Sequence, residues 1–246
     1  MDSVMTDPCI ERDSLLSPED NRRMFDRIAR PYDLLNRLLS FGLDRGWRRE
    51  AAAMLGPRPG GRYLDVGCGT GSVGIEVLRQ CPGAHVVGID PAEEMLTVAR
   101  EKVHRAGLAE AISLQVGDAT ALPFEGASFA GVIGAFSLRN IAYRARAVGE
   151  MRRVLSPGGR VVMLELTVPP GRIVRLGHRL YTRWVVPTAG RLIARSGDAY
   201  RYLVDSVADF PDAEAIRAMM DKLAFSDARY VRLTGGIVTL FLGTAT

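Results

Sequence analysis

Residues 63–72 read YLDVGCGTGS, an apolar stretch that runs into three glycines within five positions. Glycine allows a sharp turn of the backbone and lets a ligand approach the main chain closely. The preceding residues predict a buried strand at 62–66, and the following residues predict a helix at 72–80. Segment 69–74 also matches the dinucleotide fingerprint G-x-G-x-x-G, so the glycines alone leave the class of bound nucleotide open.

Three aspartates stand at the ends of predicted strands, where ligands bind in folds of this kind. Asp65 precedes the glycines, and a carboxylate there suits the ammonium group of S-adenosylmethionine (SAM), which has a cationic sulfur and no phosphate. Beside a pyrophosphate the same acid has no obvious role. Asp90 ends the second predicted strand, where it can accept both ribose hydroxyls, and Asp118 follows the third, where it can meet the adenine amino group. The three carboxylates predict a SAM site; the competing interpretation is that they only cap helices.

Strands and helices alternate in the predicted pattern, which favours a parallel sheet with helices on both faces. The predicted strands are 62–66, 84–89, 111–116, 129–135 and 159–165, and the helices between them are 72–80, 92–106 and 141–155. The chain ends with a helix at 213–223 and two β runs, 228–233 and 236–242, joined by a predicted hairpin turn at 234–236. This order is typical of the class I SAM-dependent methyltransferase fold, a Rossmann-like α/β fold with a mostly parallel seven-stranded sheet and a C-terminal β-hairpin.

The sequence predicts one methyltransferase domain, residues 18–246, after a disordered N-terminus at 1–17. Within it, residues 18–56 form a predicted N-terminal helical cap, whose first helical stretch is divided in two by Pro31. Residues 167–210 interrupt the β-α alternation with helical sequence, and we expect them to form a helical insert or lid.

The bulk properties favour a protein of the cytoplasm. A chain of 246 residues can bury one core without disulfides or metal ions, and a net charge of +4 does not by itself imply nucleic acid. Cys9, Cys68 and Cys81 are odd in number and lack metal-ligand spacing, so neither a disulfide framework nor a metal site is expected. Neither a signal peptide nor a run of ~20 apolar residues is visible.

Residues 172–195 contain six arginines and no acidic residue, interspersed with leucine, valine, tyrosine and tryptophan. This composition suits contact with a membrane surface. The alternative is a lid whose apolar side packs on the core while its basic face is solvated, and both interpretations stay open. His178 is interpreted as a surface residue of this segment and not as a base. A nucleic-acid groove is not expected, because no second basic cluster or aromatic platform supports it.

Several longer segments resemble the ubiquinone/menaquinone biosynthesis C-methyltransferase family, over residues 20–244. They are MFDRIARPYDLLN at 24–36, LSFG at 39–42, FSLRN at 136–140, VLSPGG at 154–159 and GDAYRYL at 197–203. The glycine loop and VLSPGG occur in many small-molecule methyltransferases, whereas YDLLN, LRN and YRYL are more selective. Ala135 stands where the family often has serine, so one hydroxyl contact to the cofactor is missing, and Ser137 stands where it often has glycine.

The resemblance implies C-methylation of a reduced, prenylated quinone ring, most directly demethylmenaquinol and also the ubiquinone precursor, with SAM as methyl donor. By motif it implies that Thr70, Asp90, Asp118 and Ala119 contact the cofactor. The glycine-loop argument adds Asp65, Gly67 and Gly69. Because a prenylated hydroquinone resides in the bilayer, we expect peripheral contact with the inner face of the membrane through residues 172–195. A homodimer is left open.

The implied chemistry needs a phenolate, because a ring carbon beside a hydroquinone oxygen is a weak nucleophile until that hydroxyl loses its proton. Arg139 and Asn140 follow the fourth predicted strand, at the ligand-binding edge of the sheet. The arginine can stabilise the phenolate, and the asparagine can orient a water or a ring oxygen. Neither is a good base, so a water or a tyrosine is expected to relay the proton, the candidates being Tyr32, Tyr200 and Tyr202. Packing around a lipid-like ligand is their competing role.

Three other functions remain open on the sequence. The first is SAM-dependent methylation of another phenol, sterol or polyketide, and the second is a non-catalytic SAM-binding scaffold in a quinone-biosynthesis assembly. The third is a dehydrogenase, which is weakened by the lack of a recognisable hydride-site acid–base set. The scaffold is disfavoured because the chain has all the residues of the cofactor motif, namely Asp65, Gly67, Gly69, Asp90 and Asp118.

Overall fold

The computed structural model describes residues 16–181 and 197–246, without the side chains of 178–180, 197, 198 and 200. Its strands are β1 (Arg62–Val66), β2 (His85–Asp90), β3 (Ile112–Val116), β4 (Phe129–Ala135), β5 (Leu155–Leu166), β6 (Phe225–Leu233) and β7 (Val238–Ala245). They form one sheet in the order β3-β2-β1-β4-β5-β7-β6. The first five strands pair in parallel, and β7 lies antiparallel between β5 and β6. The predicted fold class is confirmed.

Eight helices of the described residues surround this sheet. They are α1 (Pro18–Leu39), α2 (Leu43–Leu55), α3 (Ser72–Gln80), α4 (Glu93–Arg105), α5 (Arg144–Val154), α6 (Arg172–Leu180), α7 (Gly197–Asp209) and α8 (Ala213–Lys222). Short 3₁₀ turns lie at Leu138–Asn140 and Thr234–Gly236. β1, α3 and β4 have the bounds that the sequence predicts, because the glycine loop and the flanking turns fix them locally.

The region from 138 to 166 differs in detail from the prediction. The helix expected at 141–155 is shorter and is preceded by the 3₁₀ turn Leu138–Asn140. β5 begins at Leu155, ahead of the predicted 159, because its pairing with β4 shifts register between Phe129 and Gly131. That irregularity accommodates the SPGG segment within the strand. The LRN motif forms the 3₁₀ turn that follows β4.

Pro31 does not divide the first helix, so the prediction of two helices is wrong. α1 runs unbroken from Pro18 to Leu39 with Pro31 inside it. An internal proline removes one backbone hydrogen bond and disfavours the helix by about 3 kcal/mol. Packing of Met24, Ile28 and Leu35 in a shared apolar cluster offsets that loss, since each fully buried side chain contributes about 1.5–3 kcal/mol.

The apolar core lies on both faces of the sheet, since successive strand residues point to opposite sides. Leu64 and Phe129 belong to the cluster on one face, and Tyr63 and Ile133 belong to the cluster on the other. A third, smaller cluster joins α1 to α4 and α7. It places α1 across the carboxyl ends of the parallel strands, where the predicted site residues stand.

The predicted insert is described only in part. α6 and α7 confirm helical structure on either side of residues 182–196, which lie outside the described residues together with residues 1–15. The side chains of His178 and Tyr200 also lie outside the description, so their proposed roles stay predictions. Among the described helices, none is both long and apolar enough to cross a lipid bilayer.

Candidate active site

A cavity of about 560 Å³ opens at the carboxyl ends of β1, β2 and β4, and we call it the cofactor cleft. It is lined by most of the predicted cofactor residues, together with side chains of α1 that cover one side; the lining includes Gly67, Gly69, Asp90, Asp118, Ala119, Asn140, Asn21, Phe25 and Tyr32. The structure therefore brings the glycine loop and two of the three predicted aspartates to one cleft.

Asp65, the third aspartate, is buried at the end of β1 behind the glycine loop. The Gly74 N–H donates to its Oδ2 (3.0 Å), while its Oδ1 is buried without a hydrogen-bond partner among the described residues. Burial raises the pKa of Asp65 to about 7, with repulsion from Asp90 adding to the effect. A buried acceptor without a partner is unfavourable, and a ligand ammonium reaching the loop would satisfy it.

Asp90 joins the end of β2 to the glycine loop. Its Oδ2 accepts the Gly69 N–H (2.8 Å), and its Oδ1 accepts the Ala92 N–H at the start of α4 (2.9 Å). Burial raises the pKa of Asp90 to about 6, although these two amide bonds lower it. The helix-capping interpretation and the ligand interpretation are compatible here, since each carboxylate oxygen can accept a second hydrogen bond.

Asp118 and Ala119 line the cofactor cleft just after β3. The Thr120 N–H donates to Asp118 Oδ1 (2.8 Å), which fixes the turn that carries the carboxylate. Asp118 is exposed. Its carboxylate thus has acceptor capacity left for an amino group at this end of the cleft.

The Thr70 side chain does not line the cofactor cleft. Its hydroxyl donates to Asp33 Oδ1 on α1 (2.6 Å) and accepts from Lys102 Nζ on α4 (3.0 Å). Lys102 also donates to Asp33 Oδ2 (2.5 Å) and Ser72 Oγ (2.7 Å), and burial lowers its pKa. This network attaches α1 to the glycine loop. Sequence reasoning missed both Asp33 and Lys102, although Asp33 lies inside the YDLLN motif.

A second cavity, of about 260 Å³, lies next to the cleft, and we call it the apolar cavity. Apolar and aromatic side chains from α1, α2, α7 and the end of the sheet make up most of its wall, namely Leu39, Phe41, Leu43, Trp47, Phe136, Leu166, Leu203, Val204, Val207 and Ile237. Tyr32 and Phe136 line both spaces. The polar cleft and the apolar cavity therefore meet at these two rings.

Arg139 lines the apolar cavity from the 3₁₀ turn and forms a buried ion pair. Its Nη1 donates to Glu165 Oε1 (2.8 Å) and to the Phe136 carbonyl (2.6 Å), and its backbone N–H donates to Glu165 Oε2 (3.0 Å). Burial alone would lower the pKa of Arg139, but the facing Glu165 carboxylate raises it. The Arg139 Nε has no hydrogen-bond partner among the described residues. Sequence reasoning missed Glu165, whose signal is an acid within the apolar run of β5.

Asn140 lines the cofactor cleft and is hydrogen-bonded to the buried Tyr202. The Tyr202 hydroxyl donates to Asn140 Oδ1 (3.1 Å) and accepts from Asn21 Nδ2 on α1 (2.6 Å). Asn140 Nδ2 donates in turn to the Phe136 carbonyl (3.1 Å). Burial raises the pKa of Tyr202, although nearby Arg139 opposes the shift. Of the candidate tyrosines, Tyr32 and Tyr202 thus stand at the site.

In the described part of the chain, no three His, Cys, Asp or Glu side chains stand together as metal ligands would. Cys68 and Cys81 are buried free thiols there. Burial raises the pKa of Cys68 well above its usual range, and repulsion from Asp65 adds to this shift. Such a thiol is a poor nucleophile.

Comparisons with known proteins bear on this arrangement. A demethylmenaquinone methyltransferase of Thermus thermophilus is 45% identical over 220 residues, which cover 89% of this chain and 99% of that protein. The ubiquinone/menaquinone biosynthesis C-methyltransferase UbiE of Geotalea uraniireducens is 42% identical over 226 residues, covering 92% of this chain and 96% of that protein. Both alignments extend over the helical cap, the sheet and the insert.

A solved structure and a family profile complete the comparison. A SAM-dependent methyltransferase of Thermotoga maritima superposes with a TM-score of 0.62 at 17% identity, over 92% of this chain and all of that one, which bears on the fold alone. The profile of the ubiE/COQ5 methyltransferase family matches residues 16–245. The predicted resemblance is confirmed, and the chain belongs to the ubiE/COQ5 family of SAM-dependent methyltransferases.

Proposed function

We propose that this protein methylates a ring carbon of a reduced, prenylated quinone, with demethylmenaquinol as the first substrate to test and the ubiquinone precursor as the second. The observation that carries the proposal is the junction of the cofactor cleft and the apolar cavity at Tyr32 and Phe136. An apolar space beside a cofactor site suits an aromatic ring with a hydrocarbon tail. The names of the relatives support the same substrate class.

The residues of the cleft fit SAM. The unpartnered Asp65 Oδ1 behind the glycine loop suits the ammonium group, Asp90 suits the ribose hydroxyls, and Asp118 with Ala119 suits the adenine. Gly67 and Gly69 leave the backbone accessible to the ligand. When bound, SAM supplies an electrophilic methyl group on its sulfonium. For Thr70 we propose an indirect role through the α1 network.

The apolar cavity has two tasks in this proposal. Its aromatic and aliphatic walls exclude water from the ring, and they hold the reacting carbon in one orientation. Positioning of this kind supplies about 7–11 kcal/mol of barrier reduction in well-aligned cases. The free Arg139 Nε donates to the ring oxygen beside the methylated carbon and favours its phenolate form. Because Glu165 balances the charge of Arg139, the guanidinium acts as a fixed donor more than as a free cation.

Proton transfer from the ring needs a separate carrier. Arg139 is paired and protonated, and the Asn140 amide has no basic atom. We propose that water held at Tyr202 and Asn140 carries the proton, since these two side chains are hydrogen-bonded to each other at the cleft. Tyr32 contributes its ring to the junction. Tyr200 lies on α7 and stays a candidate relay.

The direct test is an assay with purified protein, SAM and reduced demethylmenaquinone that carries a short prenyl tail. We expect a mass gain of one methyl group on the ring, detected by mass spectrometry. Calorimetric titration with SAM gives an independent measurement of cofactor binding. If SAM binds and the ring stays unmethylated, the quinone proposal fails, and other phenols become the substrates to examine. If SAM does not bind, the assignment of the cleft itself is wrong.

We also propose that the protein docks on an anionic membrane surface beside the apolar cavity. The end of α1 and α6 meet there, since the Tyr181 hydroxyl donates to the Leu39 carbonyl (2.6 Å). The surface exposes Phe41 (79%), Ile173 (89%) and Leu176 (62%), and residues 34–43 and 166–181 contain arginines and no acid. The sequence placed this contact at 172–195; the proposal adds the α1–α2 corner.

Sedimentation with phosphatidylglycerol vesicles tests this docking. The Phe41→Ser/Ile173→Ser variant is expected to lose most of the vesicle-bound fraction, while Tyr143→Ser, which removes another exposed ring elsewhere (57%), retains it. Equal binding of the two variants would contradict the proposal. The possible homodimer stays a prediction.

A further inference from the structure

Two buried side-chain N–H groups at the apolar cavity lack a hydrogen-bond partner among the described residues, Arg139 Nε and Asn36 Nδ2. A buried donor without a partner is unfavourable, and native proteins keep few of them. Arg139 already has a place in the proposed chemistry, whereas Asn36 has none. Both residues line the same cavity, so a ligand bound there is the candidate partner for both N–H groups.

Asn36 lies on the wall of the cavity formed by α1. Tyr32, Asn36 and Ser40 follow one another at four-residue spacing, which places them in one row on the helix, and all three line the cavity. The Ser40 hydroxyl is already occupied, because it donates to Asp44 Oδ1 (3.1 Å). Asn36 is the member of the row whose side-chain donor is buried and has no partner among the described residues.

Arg139 reaches the cavity from a different wall, the turn after β4. A ligand with one acceptor for each donor, carried on an apolar body, would suit the mostly apolar wall of this cavity. A reduced quinone has this chemistry, with two oxygens at opposite ends of one ring, whereas a simple phenol has one. A hydrocarbon tail would add nothing to this recognition, since it carries no acceptor.

Resting on the proposed function, we infer that Asn36 is a specificity-determining residue, whose Nδ2 donates to the second ring oxygen while Arg139 Nε donates to the oxygen beside the methylated carbon. The two donors together select a ring with oxygens in the 1,4 positions. A ring that lacks the second oxygen leaves the Asn36 amide buried and unpaired. Sites built to hydrogen-bond a substrate group reject analogues that lack it by far more than apolar pockets reject a missing methylene.

The test compares two substrates with the same prenyl tail, reduced demethylmenaquinone and the corresponding naphthol, which lacks one ring hydroxyl. We expect the wild-type protein to prefer the hydroquinone by at least about 100-fold in kcat/KM. The Asn36→Leu variant keeps the size of the side chain without its donor. It is expected to lower kcat/KM for the hydroquinone about 10- to 100-fold and to leave the naphthol nearly unchanged.

Two further variants keep the test decisive. Ser40→Ala removes a hydroxyl from the same wall that is already bonded to Asp44, so it should preserve the wild-type ratio between the substrates. Asn36→Asp retains the shape of the amide and replaces its donor by an acceptor, so it should lose the preference as Asn36→Leu does. If Asn36→Leu unfolds, as judged by its melting temperature and SAM binding, the ratio measured with Asn36→Asp decides.

The possible results separate this inference from the function on which it rests. An equal loss on both substrates gives Asn36 a packing role and overturns the inference, as does an unchanged ratio. Wild-type protein that methylates both rings equally well also overturns it, while leaving the proposed function intact. Wild-type protein that binds SAM and methylates neither ring overturns both.

Discussion

The cofactor cleft and the apolar cavity share a boundary but are assembled in opposite ways. The predicted cofactor residues that line the cleft come from consecutive strand–turn units between residues 67 and 119, each at the end of a parallel strand. The cavity is assembled from segments far apart in the chain: α1, the turn after β4, α7 and the turn between β6 and β7. The cleft is therefore built from residues that are close in sequence, whereas the cavity is built by tertiary contacts.

This difference is also chemical. Asp90 and Asp118 in the cleft, and Asp65 behind its glycine loop, are already oriented by backbone N–H groups, so the site is prepared for a polar cofactor. The wall of the cavity is mostly apolar, and its polar atoms are few and buried. The superposition at 17% identity shows that the fold that carries the cofactor cleft is shared with a distant chain. The apolar cavity is therefore the region in which we expect the choice of substrate to be determined.

The largest expected effect concerns the Arg139–Glu165 ion pair in the wall of the cavity. Glu165→Leu leaves the Arg139 charge buried and unpaired, and we expect it to lower the free energy of unfolding by about 3–5 kcal/mol. The double variant Arg139→Met/Glu165→Leu removes both charges and should recover most of that loss. Urea denaturation of the single and double variants measures both quantities.

The double variant separates stability from chemistry. It should fold and bind SAM, yet its turnover on reduced demethylmenaquinone should fall about 100- to 1,000-fold, the usual consequence of losing a donor to a developing oxyanion. Turnover close to that of the wild-type protein would show that the ion pair stabilises the fold only. The polar groups of the cavity would then have no demonstrated role in the reaction.

The second prediction concerns pH and the cleft. Ionised Asp65 is the form that pairs with the ammonium group of SAM, and burial raises its pKa to about 7. SAM affinity should therefore rise about fivefold between about pH 6 and pH 7, as the ionised fraction grows from roughly 0.1 to 0.5. Calorimetric titration across this range is the measurement. Asp65→Asn should bind more weakly and lose most of the dependence.

The same pKa has a consequence for stability. The folded-state pKa of Asp65 lies above its ordinary value of 3.8, so the folded protein holds the proton that the unfolded chain releases. The contribution of Asp65 to stability therefore declines as pH rises from about 4 to about 7, and SAM should offset the decline. If Asp65→Asn keeps the full pH dependence of SAM binding, then Asp90, with a pKa of about 6, is the titrating group.

The sequence predicts the two regions unequally well. β1, the glycine loop and α3 follow from short-range patterns, and their bounds agree with the structure. Glu165 pairs with Arg139 across 26 positions, a distance at which periodicity carries no information. Pro31 likewise misleads because a local rule for helix termination competes with the packing of α1 on α4 and α7. Arg139 and Tyr32 were found through their motifs, while Asn36 and Asp33 lie within a motif that gave no role for either.

The smallest expected effect concerns Thr70, for which the sequence motif and the structure indicate different contacts. The motif implies that Thr70 contacts the cofactor, whereas its hydroxyl bonds Asp33 and Lys102 in the α1 network. Thr70→Val should therefore lower the free energy of unfolding by about 1 kcal/mol and change the Kd for SAM by less than about twofold. Ser72→Ala, which loses the bond from Lys102 and a longer contact with Thr70 Oγ1 (3.4 Å) but leaves the Thr70 bonds to Asp33 and Lys102 in place, is the matched control and should lower stability less. If Thr70→Val weakens SAM binding tenfold at unchanged stability, the hydroxyl belongs to the cleft, because loss of a network bond alone would act on folding.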